Sequence, residues 1–523
     1  MFPRNGPAIR VTMQKNDQVA TELPVFGREA HVKSTWSYQG AAVVLALASL
    51  TAAAAVVGFI PNLKHFQDKT GAVATFNTAG DIHENNAFFQ PLGTNGRTCA
   101  TCHQADQAFS LSAQGVREVY QRTHGEDPLF ASVDGANCPT NTSRDRGAHS
   151  LLLDRGLIRI GLTLPANPQF TISVVRDPYG CAITTDLATG RPLVSVYRRP
   201  LPTANLRYLS TVMFDGRETL MPLNNAQTVQ TNLNFDLSDQ ANSAVLIHAQ
   251  GVAPTAKQLA EIVQFELGLS TAQIHDDDAG SLHEHGATGG PLALAAQSYH
   301  PGVNDALGGD PSGAKFNPSA FSLYTAWQKL NGGNNRDERE KNEAREEIAA
   351  GETLFNTRTA IITGVRGLND NAALGSPASI NGTCTTCHDS PNVGNHSVAL
   401  PLDIATSRQA GYENSNEIVA ALRELSAPEL PVFEISNCPD PANPGQTVNY
   451  YTSDPGKALI TGNCADVNRG KGPILRGLAA RAPYFHNGAA ANLDELVNFY
   501  NQRFQMNFTA KEKRQLIAFL NSL

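Results

Sequence analysis

The sequence predicts a mainly α-helical protein with long loop insertions, and three observations support this expectation. Several segments repeat apolar residues at helical spacing, whereas runs with the alternation typical of β-strands are few and short. Pro, Gly and Asn are frequent in the long stretches between these segments. One five-residue motif occurs twice, far apart in the chain, which predicts two related domains.

The repeated motif is C-x-x-C-H, and its copies are Cys99-Ala-Thr-Cys102-His103 and Cys384-Thr-Thr-Cys387-His388. Two thiols at this spacing can form thioethers with the two vinyl groups of a porphyrin, and the following His can ligate its iron. Two zinc half-sites or redox thiol pairs are the alternatives, but neither explains a His at this position in both copies. The sequence therefore predicts two covalently bound haem c groups.

Composition narrows the class of protein and its compartment. The chain has 41% apolar residues, 17% charged residues and a net charge of −8, which are ordinary globular values with no basic patch for nucleic acid. The four cysteines outside the motifs form two local pairs, Cys138/Cys181 and Cys438/Cys464. Two disulfides in an oxidising compartment are expected, with four buried free thiols as the alternative.

The N-terminal extension, residues 1–61, is expected to contain a signal peptide or a membrane anchor. No charged residue occurs from Ser34 to Leu63, and the apolar segment at about 40–60 is long enough to span a bilayer. It is also rich in Ala, as signal peptides are near their cleavage site. A cleaved signal and a retained inner-membrane anchor both stay open, and either predicts a periplasmic or other extracytoplasmic location.

The first haem domain is expected at 62–330. Its predicted helices are Leu111–Thr123, Leu237–Ala249, Thr255–Leu269 and Phe321–Leu330. Two short apolar runs, Thr171–Val175 and Leu193–Tyr197, are either small strands or loops that cover a haem. The long loop 275–320 carries His and acidic residues, which favours a solvated acidic loop over a metal site.

The second haem domain is expected at 331–523. Its predicted helices are Arg336–Phe355, Asn492–Phe504 and Thr509–Leu523. The first has opposite charges at three- and four-residue spacing. In the last, Thr509 is a suitable N-cap and the apolar residues share one side.

Several runs of this chain resemble the bacterial diheme cytochrome c peroxidase family, which includes MauG. They are Arg481-Ala-Pro-Tyr-Phe-His-Asn-Gly488, Leu493-Asp-Glu-Leu-Val497, Pro473-Ile-Leu-Arg476, Phe214-Asp-Gly-Arg217 and Leu237-Ser-Asp-Gln240-Ala241. The resemblance covers most of residues 85–523, with insertions around 130–205, 275–320 and 425–450. It implies two cytochrome c-like haem domains.

The resemblance implies a peroxide-binding haem in the first domain, with His103 as the proximal ligand and an open distal face. The family places a distal Glu ten residues after the Gln of its "Q-A" run; counting from Gln240 gives Gln250. Gln can hydrogen-bond peroxide but cannot act as a general base. His248 is the residue expected to take the proton instead, with a structural His at a helix end as the alternative.

The resemblance implies an electron-transferring, six-coordinate haem in the second domain, with His388 as one ligand. The other ligand is expected fourteen residues after His486, which gives Tyr500, the residue type found in MauG; Met506 is the alternative. A phenolate favours Fe(III), whereas a thioether favours Fe(II). Arg476 is expected to pair with a haem propionate.

The chain departs from the family at positions that matter for turnover. Phe214 replaces the Trp that lies between the haems in the peroxidases, and Phe is harder to oxidise. Glu261 and Glu266 follow the distal positions and are expected to be solvated. The family often holds Ca²⁺ near its A-P-Y-F-H run, and Arg481 stands where Thr is usual, so the calcium ion is an optional cofactor.

These features together predict an exported diheme oxidoreductase that reduces or activates peroxide, with electrons passing through the second haem. A small redox protein is the expected electron donor, and a homodimer is an option carried over from the family. A MauG-like oxidase or oxygenase of a protein or organic substrate is one alternative. A non-catalytic electron-transfer cytochrome is the other.

Overall fold

The helices form close to where apolar spacing predicts them. The computed structural model describes residues 58–330, 332–408, 427, 429–441, 443 and 445–523. Its helices are α1 Ala113–Thr123, α2 Ser150–Arg155, α3 Val229–Ile247, α4 Ala256–Gly268, α5 Pro291–Ala296, α6 Arg336–Thr357, α7 Ala458–Thr461, α8 Leu493–Arg503 and α9 Ala510–Asn521. The helix predicted at Phe321–Leu330 is a short 3-10 helix at Thr325–Lys329.

Five antiparallel sheets complete the described part of the fold. The strands are β1 Phe59–Ile60, β2 Phe66–Gln67, β3 Gly71–Asn77, β4 Ile82–His83, β5 Ile158–Thr163, β6 Thr171–Arg176, β7 Ile183–Thr185, β8 Pro192–Arg198, β9 Leu269–Asp276, β10 Gly280–Ser281, β11 Ala360–Ile362, β12 Ile380–Gly382, β13 Val432–Pro439 and β14 Thr447–Thr452. The sheet orders are β1-β4, β10-β9-β3-β2, β11-β12, β14-β13-β6 and β5-β8-β7.

The prediction of a mainly α fold is wrong. The structure is 32% helix and 17% strand, which makes it a mixed α and β protein. The two short runs left open as strands or loops are strands, β6 and β8. Other strands were missed because their partners lie far away in sequence: β3 pairs with β9, with Gly71 opposite Asp276. Strand propensity depends on such partners, so a local pattern does not reveal it.

The insertions of the two predicted domains meet in one sheet. Strand β6 pairs with β13, with Val174 opposite Phe433. The apolar side chains of these strands and of β5 and β8 form a common core, which also contains Cys438 and Cys464. This sheet joins strands from both sides of residue 330. The division into two domains at that residue stays a prediction.

The C-terminal helices form the largest apolar core. Helix α6 packs along α9, and both contribute buried residues to it, including Phe355 and Phe519. Gly351 of α6 faces α9 so closely that a Cβ there would collide with the carbonyl oxygen of Gln515. This core lies against the second haem motif, because Cys384 and Tyr500 pack on its edge.

Most of the predicted signal or anchor segment, about 40–60, lies outside the described residues, which include only its last three positions. Within the part of the chain that the structure describes, no helix combines the length and the apolar character needed to cross a bilayer.

Candidate active site

The two C-x-x-C-H motifs have the same local structure. Each begins with a 3-10 turn, at Cys99–Thr101 and at Cys384–Thr386, and a Thr precedes each turn. The backbone N–H groups of Thr98 and Thr383 donate to threonine hydroxyls three residues later, at 3.0 and 2.9 Å. Capping of this kind fixes the turn that brings the two thiols and the His to one side.

Both motif histidines are oriented by a backbone carbonyl. His103 Nδ1 donates to Phe109 O at 3.3 Å, and His388 Nδ1 donates to Gly394 O at 2.6 Å. Iron-ligating histidines are commonly held through one nitrogen, which leaves Nε2 for the metal. Burial lowers the pKa of His103 to about 4, so its imidazole is neutral, as a ligand must be.

The four motif thiols are free of disulfides. Burial raises the pKa of the Cys99 thiol to about 12 and that of Cys102 to about 11. Burial likewise raises the pKa of Cys384 and of Cys387 to about 12. Two thiols two residues apart, with an oriented His directly after them, fit a covalently attached haem.

A cavity opens beside the first motif, and Cys99, Cys102 and His103 line it. Its wall is mostly apolar, with a few polar groups, as is common in ligand pockets. The polar or charged side chains on its wall include Arg97, His103, Asp134, Arg198, Gln240, His248, Glu266 and Lys471. An apolar wall with a few polar groups, next to two thiols and a His, has the character of a haem pocket.

Helix α3 supplies one wall of the cavity. Gln240, Ala241, Ala244, Val245 and His248, the helix C-cap, lie on it at helical spacing and therefore share a face. The structure thus brings two of the predicted catalytic residues, Gln240 and His248, to the same cavity as His103. Gln250 is exposed, has a positive φ of 53°, and is not among the residues that line this cavity.

His248 is part of a chain of three ionisable side chains. Its Nδ1 donates to Asp134 Oδ2 at 2.5 Å, and the other oxygen of Asp134 accepts from Arg97. Asp134 and Arg97 are buried, whereas the His248 side chain is 31% exposed. Burial alone would raise the pKa of Asp134, but Arg97 and His248 outweigh it and hold that pKa below its usual range. Asp134 is therefore a carboxylate that fixes the orientation of His248.

Glu266 corrects the expectation of a solvated side chain. It is 3% exposed and lines the cavity, and its Oε2 has no hydrogen-bond partner. Burial raises the pKa of Glu266 to about 8, so this carboxyl group is largely protonated at neutral pH. Glu261, on the same helix, is partly exposed, with 37% of its side chain accessible.

Phe214 lies between the first cavity and the C-terminal half of the chain. Its ring lines the cavity and stacks on His486, with ring centroids 4.4 Å apart and planes 12° apart. The guanidinium of Arg198 lies over the Phe214 ring, 5.0 Å from its centroid. Arg198 also binds Asp454 through Nε and Nη2, at 2.6 and 2.9 Å. His486 therefore packs against the wall of the first cavity, far from its own motif in sequence.

Tyr500 lies close to the second motif. It is on α8, and its ring packs among Phe485, Phe499 and Phe504. Burial, and then the thiols Cys387 and Cys384, raise the pKa of this phenol well above its ordinary value. Met506 is 3% exposed in the same core.

Arg476 is a buried cation and Lys471 a half-buried one, and both have few partners. Arg476 is 2% exposed; its Nη1 donates to Asn392 O at 3.3 Å, and its Nε and Nη2 have no partner. Lys471 lines the first cavity and donates to Thr211 O at 3.1 Å, and burial lowers its pKa to about 8. Carboxylates are the counter-ions such groups need, and haem propionates would supply them.

Arg481 occupies the position where the family's calcium ligands are expected. It is 8% exposed, and its Nη2 donates to Ile474 O at 2.7 Å. Burial lowers its pKa to about 10, so it remains a cation at neutral pH. The buried positive charge of Arg481 would repel a calcium ion bound next to it. The calcium ion stays a prediction.

Comparison with known proteins bears on the family. No protein-family model matches the chain. It is 30% identical over 149 residues to cytochrome-c peroxidase IdrP2 of Denitromonas iodatirespirans, a match that covers 27% of this chain and 36% of that protein. It is 41% identical over 78 residues to cytochrome c551 peroxidase of Nitrosomonas europaea, covering 14% and 23%.

The chain is related to the bacterial cytochrome c peroxidases. This confirms the resemblance predicted from the motifs. The matches span about a quarter to a third of the length of these relatives. A solved MauG-like protein associated with microbial copper homeostasis aligns over 84% of this chain and 87% of its own, at 14% identity and a TM-score of 0.30, too distant to support further argument.

Sequence reasoning missed Asp134, Arg97 and Glu266. Asp134 lies 114 residues before His248, in a region without a readable pattern. Arg97 lies two residues before Cys99, so its nearness to the haem site was available from the sequence. Glu266 lies four residues after the buried Ile262, and this spacing on an apolar helix face was the signal that it points inward.

Proposed function

We propose that this chain is an exported oxidoreductase with two covalently bound haem c groups that reduces or activates hydrogen peroxide at the first of them. The observation that carries the proposal is the asymmetry between the two motifs. A cavity with an oriented His–Asp pair lies beside His103, whereas Tyr500 and a packed apolar core lie against Cys384 and Cys387.

The cofactor would be held by residues that fit it. Cys99 and Cys102 would attach the first haem and His103 Nε2 would ligate its iron; Cys384, Cys387 and His388 would do so for the second. Arg476 and Lys471 would pair with propionates. When bound, the haem iron supplies the electrons and the coordination site for peroxide, and reduction to two waters consumes two electrons and two protons.

The side chains of the first cavity would manage those protons. Since the Asp134 carboxylate accepts from His248 Nδ1–H, the lone pair of His248 is at Nε2. His248 would take a proton from peroxide in the cavity and return it to the oxygen that leaves. The Gln240 amide would orient the peroxide by hydrogen bonding. Gln250 points to solvent, so we assign it no proton transfer.

Tyr500 is proposed as the second ligand of the C-terminal haem, with Met506 as the alternative. An isolated buried phenol keeps its proton, as its raised pKa requires, and only a nearby metal cation would make the phenolate favourable. An anionic oxygen ligand would favour the ferric state and so suit a haem that shares oxidising equivalents.

The setting of the enzyme is proposed from its chemistry. Covalent haem c and the two cysteine pairs at disulfide distance, with Cα separations of 6.0 and 5.5 Å, suit an oxidising compartment such as the periplasm. A small redox protein would deliver electrons at the surface. The named peroxidase relatives support peroxide as the acceptor.

Electron paramagnetic resonance and optical spectra of the oxidised holoprotein test the proposal. We expect one high-spin and one low-spin ferric haem, with the high-spin signal lost on adding stoichiometric peroxide. If both haems are low-spin and their spectra do not change with peroxide, before and after partial reduction, the proposed enzyme activity is wrong. The protein is then an electron-transfer cytochrome.

A MauG-like oxidase is the second candidate, and Phe214 is the observation that favours it. Phe214 stacks on His486 where the peroxidases place an oxidisable Trp, which slows resupply of electrons between the haems. The two functions differ in how a reduced cytochrome c restores the resting spectrum after peroxide. Fast, complete recovery supports the peroxidase, and a state that persists for minutes supports the oxidase.

A further inference from the structure

Three buried ionisable side chains converge beside the second haem motif. They are Asp305, Asp389 and His396, and one ligating atom from each lies within 4.8 Å of the others. Their exposed fractions are 3%, 0% and 4%. Asp389 and His396 belong to the segment that follows His388, and Asp305 comes from the loop after α5. Neither the haem motifs nor the peroxide cavity uses these groups.

The two carboxylates of this cluster have one ionisable partner among the described residues, His396. Asp389 Oδ2 contacts His396 Nδ1 at 2.8 Å, and its Oδ1 accepts from the Ser397 N–H at 2.7 Å. Asp305 Oδ2 accepts from the Gly309 N–H at 2.6 Å. Among the described residues, no Lys or Arg forms an ion pair with either carboxylate. Two buried carboxylates that share a single imidazole cost free energy, and a bound divalent cation would recover it.

Two buried polar atoms on the segment that carries this cluster have no hydrogen-bond partner. His396 Nε2 is buried without a hydrogen-bond partner, and so is the hydroxyl group of Ser397. The donors are held by a rigid frame: the Gly302 N–H donates to Ser397 O at 2.9 Å and Asn304 Nδ2 to Asp389 O at 3.0 Å. Ser210 Oγ donates to His396 O at 2.8 Å. Because these hydrogen bonds hold the backbone in place, a metal ion could bind with little movement of the protein.

We propose that Asp305, Asp389 and His396 bind one divalent transition-metal ion of the Mn²⁺ or Zn²⁺ class, distinct from both haem irons. Two carboxylate oxygens and one imidazole nitrogen suit these ions, whereas Ca²⁺ prefers oxygen ligands alone. The ion cancels the charge of the two carboxylates. The proposal stands on this cluster and does not depend on the peroxidase function.

Metal analysis of the haem-loaded protein tests the site. Purified holoprotein is stripped with a chelator, dialysed against Zn²⁺ or Mn²⁺, freed of unbound metal, and measured by elemental mass spectrometry against its haem iron. We expect one equivalent of Zn²⁺ or Mn²⁺ per chain in addition to the iron. No retained metal, or tighter retention of Ca²⁺ than of either ion, overturns the proposal.

Matched variants locate the ion. Asp305→Asn removes one charged ligand, and we expect this variant to lose the bound equivalent of Zn²⁺ or Mn²⁺. Asp310→Asn alters a neighbouring carboxylate of the same loop, which is 9% exposed and accepts from Ser312 Oγ at 2.6 Å, and should retain it. The haem absorption spectrum verifies folding, and His396→Gln replaces Asp305→Asn if that variant is not recovered. Equal metal content in all variants contradicts the assignment.

Discussion

His248 is the side chain on which the proposed proton transfer depends. Gln at this position fills a similar volume and can hydrogen-bond, but it cannot carry a proton between two oxygens. We therefore expect His248→Gln to slow the reaction with peroxide by roughly 10²-fold, the lower range for loss of a general acid–base. Stopped-flow absorbance of the oxidised holoprotein measures the second-order rate constant.

Gln250 supplies the control for that variant. It lies two residues from His248, is exposed, and contacts Asn95 Nδ2 through Oε1 at 3.4 Å. Gln250→Ala should leave the rate within about twofold, because its side chain lies outside the cavity. A large loss in Gln250→Ala with a normal rate in His248→Gln would reverse the assignment of the two residues.

Tyr500→Phe tests the proposed ligand while preserving the packing of the ring. The variant loses only the oxygen, so Phe485 and Phe504 keep their neighbour. If the phenolate binds iron, the low-spin signal of the C-terminal haem changes and its reduction potential rises, because an anionic donor has been removed. Met506→Leu should leave both unchanged. The opposite pattern assigns the ligand to Met506.

Glu266 should make stability depend on pH. Burial raises its pKa to about 8 from an ordinary value of 4.5, so the folded state holds a proton that the unfolded chain releases. Its contribution to stability is complete below pH 4.5 and is lost as pH rises to about 8, by up to about 1.4 kcal/mol per pH unit. Glu266→Gln removes this contribution to the slope, and urea denaturation between pH 5 and 9 measures it.

Glu261→Gln is the matched control, because Glu261 is on the same helix and partly exposed. It should show the wild-type dependence on pH. An unchanged slope in Glu266→Gln would mean that the carboxyl group is already ionised in the folded holoprotein.

At the scale of elements, the sequence predicts what is coded locally. Helix α4 begins at a capping box in which Thr255 and Gln258 bond each other's backbone, and α9 begins at the same arrangement with Thr509 and Glu512. Such starts are readable because every partner lies within four residues. Strands β6 and β13 have partners more than 250 residues apart, as in the pairing of Ile172 with Ile435. No local pattern specifies that choice.

The two cysteine pairs lie in and beside these long-range sheets. Cys438 is on β13, and the loop it closes with Cys464 has a sequence separation of 26 residues. We expect denatured holoprotein to react with no alkylating reagent until it is reduced, and then at four thiols. Labelling of four thiols before reduction would instead support the free-thiol alternative.

Removing the second pair should also destabilise the sheet. For a loop of this length, the double variant Cys438→Ala, Cys464→Ala is expected to lose about 3 kcal/mol. Thermal denaturation followed by circular dichroism measures the loss. Ser436→Ala, at a half-buried position on the same strand, is the control and should change the stability by less than about 1 kcal/mol, because it loses one long contact to Thr171 O at 3.5 Å.

At the scale of the whole molecule, the candidate site was only half predictable. The motifs specify the attachment residues, and the spacing on α3 brings Gln240 and His248 to one face. Asp134 enters the site only because the chain folds back over more than a hundred residues. The same holds for the pairing of Phe214 with His486. Contacts between residues far apart in sequence determine the chemistry of this cavity. Such contacts cannot be predicted from the local patterns of a single sequence.

The strongest of these contacts is an ion cluster that joins the two halves of the chain. Arg198 binds Asp454 through two nitrogens and also pairs with Asp215 at 2.5 Å, and all three are at most 2% exposed. Burial alone would raise the pKa of both carboxyls, but Arg198 outweighs it and lowers both. Their stabilisation is therefore present above an ordinary carboxyl pKa of 3.8 and is lost as pH falls through the lowered values.

Asp454→Asn should accordingly cost about 3 kcal/mol at neutral pH, because it leaves the buried Arg198 with one counter-ion. As pH falls through the lowered carboxyl pKa values, the wild type loses this advantage and the two proteins converge in stability. Glu126→Gln is the control, since its ion pair with Arg144 is 67% and 65% exposed and is worth at most about 1 kcal/mol. A loss no larger than in that control would mean that Arg198 does not hold the halves together.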